Sequence, residues 1–126
     1  VAEKEHDMKF TWSTLMVRDL EESVRFYEEV IGWKVSSRFP AGPGIEIAFL
    51  GEGETKLELI CNKDKKDIHV GPDISWGFTV DSVEEMMDFV KEKGIAIHSG
   101  PFTTGGGSKY FFIQDPNGLK LQFFQE

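Results

Sequence analysis

One carboxylate set among apolar residues is the strongest candidate for chemistry in this chain. Glu58 lies within Lys56-Leu57-Glu58-Leu59-Ile60. In such a run it must be hydrogen-bonded, paired or protonated. Two readings stand: Glu58 contacts a ligand or acts as a general base, or it belongs to a polar cluster that satisfies itself. Lys56 is two residues away, and Lys120 and Gln122 recur in the similar run Lys120-Leu121-Gln122-Phe123. Trp12 and Phe124 offer stacking surface. Thr103-Thr104-Gly105-Gly106-Gly107-Ser108 invites a phosphate-loop reading. No helix follows it to supply a dipole, so a flexible hairpin loop or lid is expected. Cys61 is the only cysteine. It excludes an internal disulfide, points to a reducing cytosol, and is expected to be a buried, inert thiol at a strand end. His6, His69 and His98 are too few and too scattered for most structural zinc sites.

The elements that position these residues repeat once along the chain. A shift of about 63 residues carries Val17 onto Val80, Glu21-Glu22 onto Glu84-Glu85 and Phe26 onto Phe89. A shift of about 64 carries Lys56-Leu57-Glu58-Leu59 onto Lys120-Leu121-Gln122-Phe123. Each half reads as strand, helix, then three strands. In the first, Phe10 to Val17 is β-rich, and Asp19 caps a helix with Glu22 as its partner. Leu20, Val24, Tyr27 and Ile31 recur at helical spacing, and Gly32 stops the helix. Strands are expected over 33–39, 45–50 and 56–61. In the second half, Ile74 to Val80 is a strand. Ser82 caps a helix with Glu85, the helix has an apolar stripe of Val83, Met86, Met87 and Val90, and Gly94 ends it. Strands are expected over 95–98, 109–114 and 119–124, with Asp115-Pro116-Asn117-Gly118 as a tight turn.

Strict alternation then sorts the strands into two faces. Leu15, Val17, Leu57, Leu59, Trp76, Phe78, Leu121 and Phe123 suit the helix side. The opposite face carries Trp12, Thr14, Met16, Lys56, Glu58, Ile60, Ser75, Gly77, Thr79, Lys120, Gln122 and Phe124. Its aromatic, charged and small residues suit either a solvated sheet surface or, the favoured reading, the wall of a cavity.

Composition sets the outer limits. The chain has 126 residues, 40% hydrophobic, 29% charged and 13% aromatic, enough for a real core. A net charge of -8 argues against nucleic acid as a partner. No apolar run approaches the roughly 18 residues of a membrane span. Residues 1–7 carry no apolar signal core, so export is not expected and a cytoplasmic location is.

The pattern resembles the vicinal oxygen chelate superfamily, which includes glyoxalase I, bleomycin-resistance proteins and extradiol dioxygenases. Three stretches carry the resemblance. Leu15-Met16-Val17-Arg18-Asp19-Leu20, followed by Ser23-Val24-Arg25-Phe26-Tyr27 and Gly32-Trp33, looks like the family's first strand and helix. Gly100-Pro101-Phe102 precedes the seventh strand, and the stretch from Phe112 to Leu121 looks like the last hairpin. The resemblance implies an α+β fold: two β-α-β-β-β modules, about 8–62 and 72–126, in one domain, with curved mixed sheets around a cavity. In metal-dependent members, residues on the first, fourth, fifth and eighth strands bind one divalent ion, typically as His or Gln, Glu, His and Glu. Carried onto this chain, they fall on Trp12, Glu58, Ser75 and Gln122. Only Glu58 matches the usual type. Gln122 offers an amide oxygen, Ser75 a neutral hydroxyl, and the indole nitrogen of Trp12 only donates.

The resemblance therefore implies a small-molecule-binding protein with no cofactor. The candidate ligand contacts are Trp12, Thr14, Lys56, Glu58, Ser75, Lys120, Gln122 and Phe124, with Glu58 as the candidate catalytic group. A cationic or hydrogen-bonding ligand suits Glu58 and the chain's charge. The alternative is a glyoxalase I-like lyase or isomerase using Glu58 and a weak or substrate-completed metal site. A third reading is a structural or regulatory domain with a vestigial pocket. A homodimer is expected, because exposed sheet edges are usually paired or covered.

Overall fold

Both halves of the chain follow one path, and the computed structural model describes it for residues 6–126. The first half runs β1 (Trp12–Met16), α1 (Leu20–Phe26), a π-helical turn (Tyr27–Ile31), β2 (Val35–Pro40), β3 (Ile45–Leu50) and β4 (Lys56–Asn62). The second runs β5 (Ser75–Thr79), α2 (Val83–Glu92), β6 (Ser99–Thr103), β7 (Lys109–Gln114) and β8 (Lys120–Gln125). They form two compact units, divided after Asp67. Each holds a four-stranded mixed sheet, in the orders β1-β4-β3-β2 and β5-β8-β7-β6. First and last strands pair parallel in both units, and the other pairs are antiparallel.

The two helices begin in the same way. Asp19 sits in extended backbone at φ -141° and accepts the Glu22 N–H at 3.1 Å. Ser82, also at φ -141°, accepts the Glu85 N–H at 3.1 Å. Each cap satisfies one amide that the first turn leaves without a helical partner, and the acids that follow favour the positive helix end. The second helix has a further acceptor, since Gln125 Oε1 takes the Val83 N–H at 2.8 Å.

The helices end differently. The spacing of Leu20, Val24, Tyr27 and Ile31 predicts a regular helix to Gly32. Instead, α1 widens after Phe26, and the N–H groups of Gly32 and Trp33 both reach Tyr27 O, at 3.0 and 3.1 Å. The wider turn changes the phase, so Val30 is buried and Ile31 only half-buried. Gly32 closes it at φ 86°, where a side chain would be strained.

The core of each unit lies between sheet and helix. Leu15, Val17, Leu57 and Leu59 are buried beneath α1 with Leu20, Val24 and Tyr27. Phe111, Ile113, Leu121 and Phe123 are buried on the helix side of the second sheet with Val83 and Val90. Trp76 and Phe78 are half-buried, not buried. They lie on edge strand β5, whereas α2 packs over β7 and β8.

One further expectation needs correction. The sixth strand is Ser99–Thr103, not 95–98, although the His98 N–H still reaches Phe112 O at 2.8 Å. The ladder with β7 starts at Ser99 opposite Phe112 and shifts register before Phe102, and the apolar run Ile95-Ala96-Ile97 precedes it. In the turn before β8, only Gly118 has positive φ, at 94°. There the Asp115 carboxylate accepts the N–H groups of Asn117 and Leu119 at 2.8 and 2.9 Å.

Candidate functional site

The register between first and last strands places the candidate residues. In the first sheet Trp12 lies opposite Lys56, Thr14 opposite Glu58 and Met16 opposite Ile60. In the second, Ser75 lies opposite Lys120, Gly77 opposite Gln122 and Thr79 opposite Phe124. These pairings repeat at the offsets seen in the sequence, so the six pairs occupy equivalent places in the two sheets. Glu58 thus meets Thr14 directly, and Trp12 lies one pleat away.

That neighbour supplies the partner Glu58 needs. Thr14 Oγ1 donates to Glu58 Oε1 at 2.5 Å, and no other described residue donates to this carboxylate. Lys56, an expected partner, makes no ion pair with Glu58 among the described residues. Two residues of extended strand separate them by roughly 6.5 Å along one face. At the equivalent place in the second unit, Gly77 has no hydroxyl to offer, and a Cβ there would lie 3.6 Å from Gln122 Oε1.

Aromatic rings surround these groups, and several were not legible as site residues. In the first sheet Trp12 meets Phe49 edge-on at 5.7 Å between centroids, and Phe39 stacks on Phe49 at 6.2 Å. In the second, Tyr110 stacks on Phe124 at 6.5 Å and meets Phe112 edge-on at 5.9 Å. The Lys120 ammonium lies 5.5 Å from the centre of the Phe112 ring. Phe49 and Phe112 lie opposite Glu58 and Gln122, so they share the face of those polar groups. Their strands, Ile45-Glu46-Ile47-Ala48-Phe49-Leu50 and Lys109-Tyr110-Phe111-Phe112-Ile113-Gln114, are too apolar for alternation alone to assign a face.

The remaining candidates serve the scaffold. Thr103 to Ser108 forms the β6–β7 hairpin, where Thr104 Oγ1 accepts the Ser108 N–H at 3.1 Å and Thr104 O accepts the Gly107 N–H at 3.0 Å. Those backbone donors are already used. Cys61 is half-buried, not buried. Its thiol lies 3.6 Å from Arg18 O and 3.8 Å from Lys66 Nζ near the end of β4. His98 Nδ1 pairs with the neighbouring Ser99 hydroxyl at 3.1 Å.

In the second unit Lys109 on β7 lies 3.9 Å from Glu84 on α2, and in the first a closer charge bridge ties helix to sheet. Arg38 on β2 contacts Glu46 on β3 at 2.7 Å and Glu21 on α1 at 2.5 Å. The hydrogen bond from Arg38 holds the Glu46 carboxyl below the usual carboxylate range. The bonds to Glu46 and Glu21 raise the guanidinium further above its ordinary value.

Fold, register and sequence converge on one family. The chain belongs to the Glyoxalase/Bleomycin resistance protein/Dioxygenase superfamily, whose profile matches residues 9–123. It is 36% identical over 121 residues to the uncharacterized protein YwbC of Bacillus subtilis, covering 88% of this chain and 92% of that protein. It is 32% identical over 130 positions to a lactoylglutathione lyase of Neisseria meningitidis, covering 94% of this chain and 91% of that enzyme. Among solved structures it resembles glyoxalase I from Zea mays, with a TM-score of 0.81 and 25% identity over 94% of this chain. The match spans only 44% of the maize chain. Among the described residues no group of three or more His, Cys, Asp or Glu side chains could hold a metal ion.

Proposed function

We propose that this chain is a metal-independent small-molecule-binding member of its family. The observation that carries the reading is the donor set at the family's four ligand positions. Trp12 has no lone pair to give, and Ser75 offers a neutral hydroxyl that rarely ligates. One carboxylate, Glu58, and one amide, Gln122, fall short of the roughly four good donors that a zinc, nickel or iron centre needs. The residues do not fit a family-type ion. What these faces do offer suits a ligand: exposed aromatic surface, a carboxylate with one oxygen fixed, and a few dispersed polar groups.

The proposed contacts are Trp12, Thr14, Lys56 and Glu58 in the first unit, and Ser75, Lys120, Gln122 and Phe124 in the second. We extend the reading to a cytoplasmic homodimer. Each sheet has two edge strands, and edges of this kind are commonly paired or covered.

A thermal-shift screen in the presence of EDTA tests the binder reading. At least one cationic, neutral or anionic small molecule should raise the melting temperature, and Glu58→Gln should reduce that gain. A panel that never shifts the transition would leave only a structural role.

The second reading, a lyase using Glu58 as base, is favoured by the name of the Neisseria meningitidis relative. It requires formation of lactoylglutathione from methylglyoxal and glutathione, and loss of that activity in Glu58→Gln.

A further inference from the structure

The first sheet arranges its open face as a complement to positive charge. Trp12 and Phe49 stand on β1 and β3, the two strands that flank β4. Those strands run roughly 10 Å apart, yet the ring centroids are only 5.7 Å apart. The rings therefore lean toward each other across β4, where Lys56 faces Trp12 and Glu58 faces Phe49. Phe39 continues the row by stacking on Phe49. Trp12 is 50% exposed and Phe39 40%, so solvent reaches the row. Glu58 has one oxygen held by the Thr14 hydroxyl, and its other oxygen has no donor among the described residues.

We propose that this row, Trp12, Phe49 and Phe39 with the Glu58 carboxylate, binds an organic cation: an ammonium or guanidinium carried on an apolar body. The inference rests on the binder reading above and adds the face and the ligand class. Ring faces are the negative part of the aromatic quadrupole and attract cations. The free Glu58 oxygen supplies a charged acceptor beside them. The chain's charge of -8 raises the local concentration of cations. The second sheet already shows such a contact, in the Lys120 ammonium over Phe112. Lys56, the equivalent of Lys120, is the competing positive charge on the first face. Thr14 is a positioning residue that acts through Glu58.

The test is amide-detected NMR titration with three probes of similar shape: benzyltrimethylammonium, benzyl alcohol and benzoate. The cation should shift signals at Trp12, Phe49 and Glu58 saturably, and bind about tenfold more tightly than either other probe. Glu58→Gln should weaken it about tenfold, the scale of one charged hydrogen bond or contact. Trp12→Leu should weaken it severalfold, and Lys56→Met should tighten it. Thr14→Val should weaken it, and Thr14→Ser should restore it, which loss of packing alone would not produce. Equal or tighter binding of benzyl alcohol or benzoate on this face overturns the cation inference and leaves the binder reading standing. Weaker cation binding in Lys56→Met also overturns it, in favour of a zwitterionic ligand. Shifts confined to Tyr110, Phe112 and Phe124, or no saturable shift from the cation, overturn it as well. Trp12 is half exposed, so Trp12→Leu stays folded and informative if Glu58→Gln does not.

Discussion

The parallel strand pairs β1–β4 and β5–β8 share a register and differ in chemistry. Lys56 and Lys120 occupy equivalent places, yet Thr14–Glu58 in one unit corresponds to Gly77–Gln122 in the other. In the first unit a hydroxyl fixes a carboxylate. In the second a glycine offers no hydroxyl to the amide beside it, and a Cβ there would meet Gln122 Oε1 at 3.6 Å. The helix-side positions show the opposite behaviour. Leu57 and Leu59 correspond to Leu121 and Phe123, and all four are buried. At these four buried positions both units carry apolar side chains, whereas the open faces carry different groups at equivalent places.

The largest expected effects separate those two faces. Leu59→Ala and Phe123→Ala each empty a core position, and should cost about 2–5 and 3–5 kcal/mol in urea denaturation. Glu58→Gln keeps shape and hydrogen-bonding capacity on the open face and should leave the transition nearly unchanged. A Glu58→Gln cost as large as that of Leu59→Ala would make Glu58 a structural residue, and the contrast between faces would fail.

The helix caps test how closely the units match. Asp19→Ala and Ser82→Ala should each cost about 1 kcal/mol, since the same amide loses its acceptor in both helices. Ser82→Ala should cost slightly less, because Gln125 still accepts the Val83 N–H. A twofold larger loss at Ser82 would show that the matching cap geometries are not matched in energy.

The smallest effect belongs to the Arg38 bridge, whose contacts of 2.7 and 2.5 Å are closer than the 3.9 Å Lys109–Glu84 pair of the second unit. The Glu46 carboxyl is held low in the folded state by Arg38. Its stabilisation is therefore present above the unfolded carboxylate value and is lost as pH falls through the folded value. Both side chains are partly exposed, 29% for Arg38 and 45% for Glu46. Solvent screening limits the bridge to under about 1 kcal/mol. Arg38→Gln should lower the melting temperature slightly near neutral pH and make no difference once Glu46 is protonated. Equal destabilisation at both pH values would assign the role of Arg38 to packing.

Much of this architecture was legible in the sequence. The repeat offsets read from short matches became strand registers, and Asp19 and Ser82 cap as their spacing to Glu22 and Glu85 predicts. Four features were not legible, three of them because they depend on a neighbour distant in sequence. The π-helical turn alters which residue of Val30-Ile31 is buried, and no local propensity marks it. The sixth strand begins at Ser99 because pairing with β7, not the apolar run before it, sets its start. The Thr14–Glu58 bond needs the exact parallel register, since a shift of one residue would put the two on opposite faces. Phe39 and Phe49 were missed for the same reason: they join the row only once β2 and β3 are paired beside β4.

The central claim is that this chain binds small molecules without a metal, and nickel and zinc titration tests it most directly. Chelator-treated protein would be titrated calorimetrically with each ion while lactoylglutathione formation from methylglyoxal and glutathione is followed. The donor set Trp12, Glu58, Ser75 and Gln122 predicts no stoichiometric site of micromolar or tighter affinity, and no metal-dependent product. One equivalent of either ion bound tightly, with lactoylglutathione appearing in step, would contradict it and make the chain a working lyase of its family.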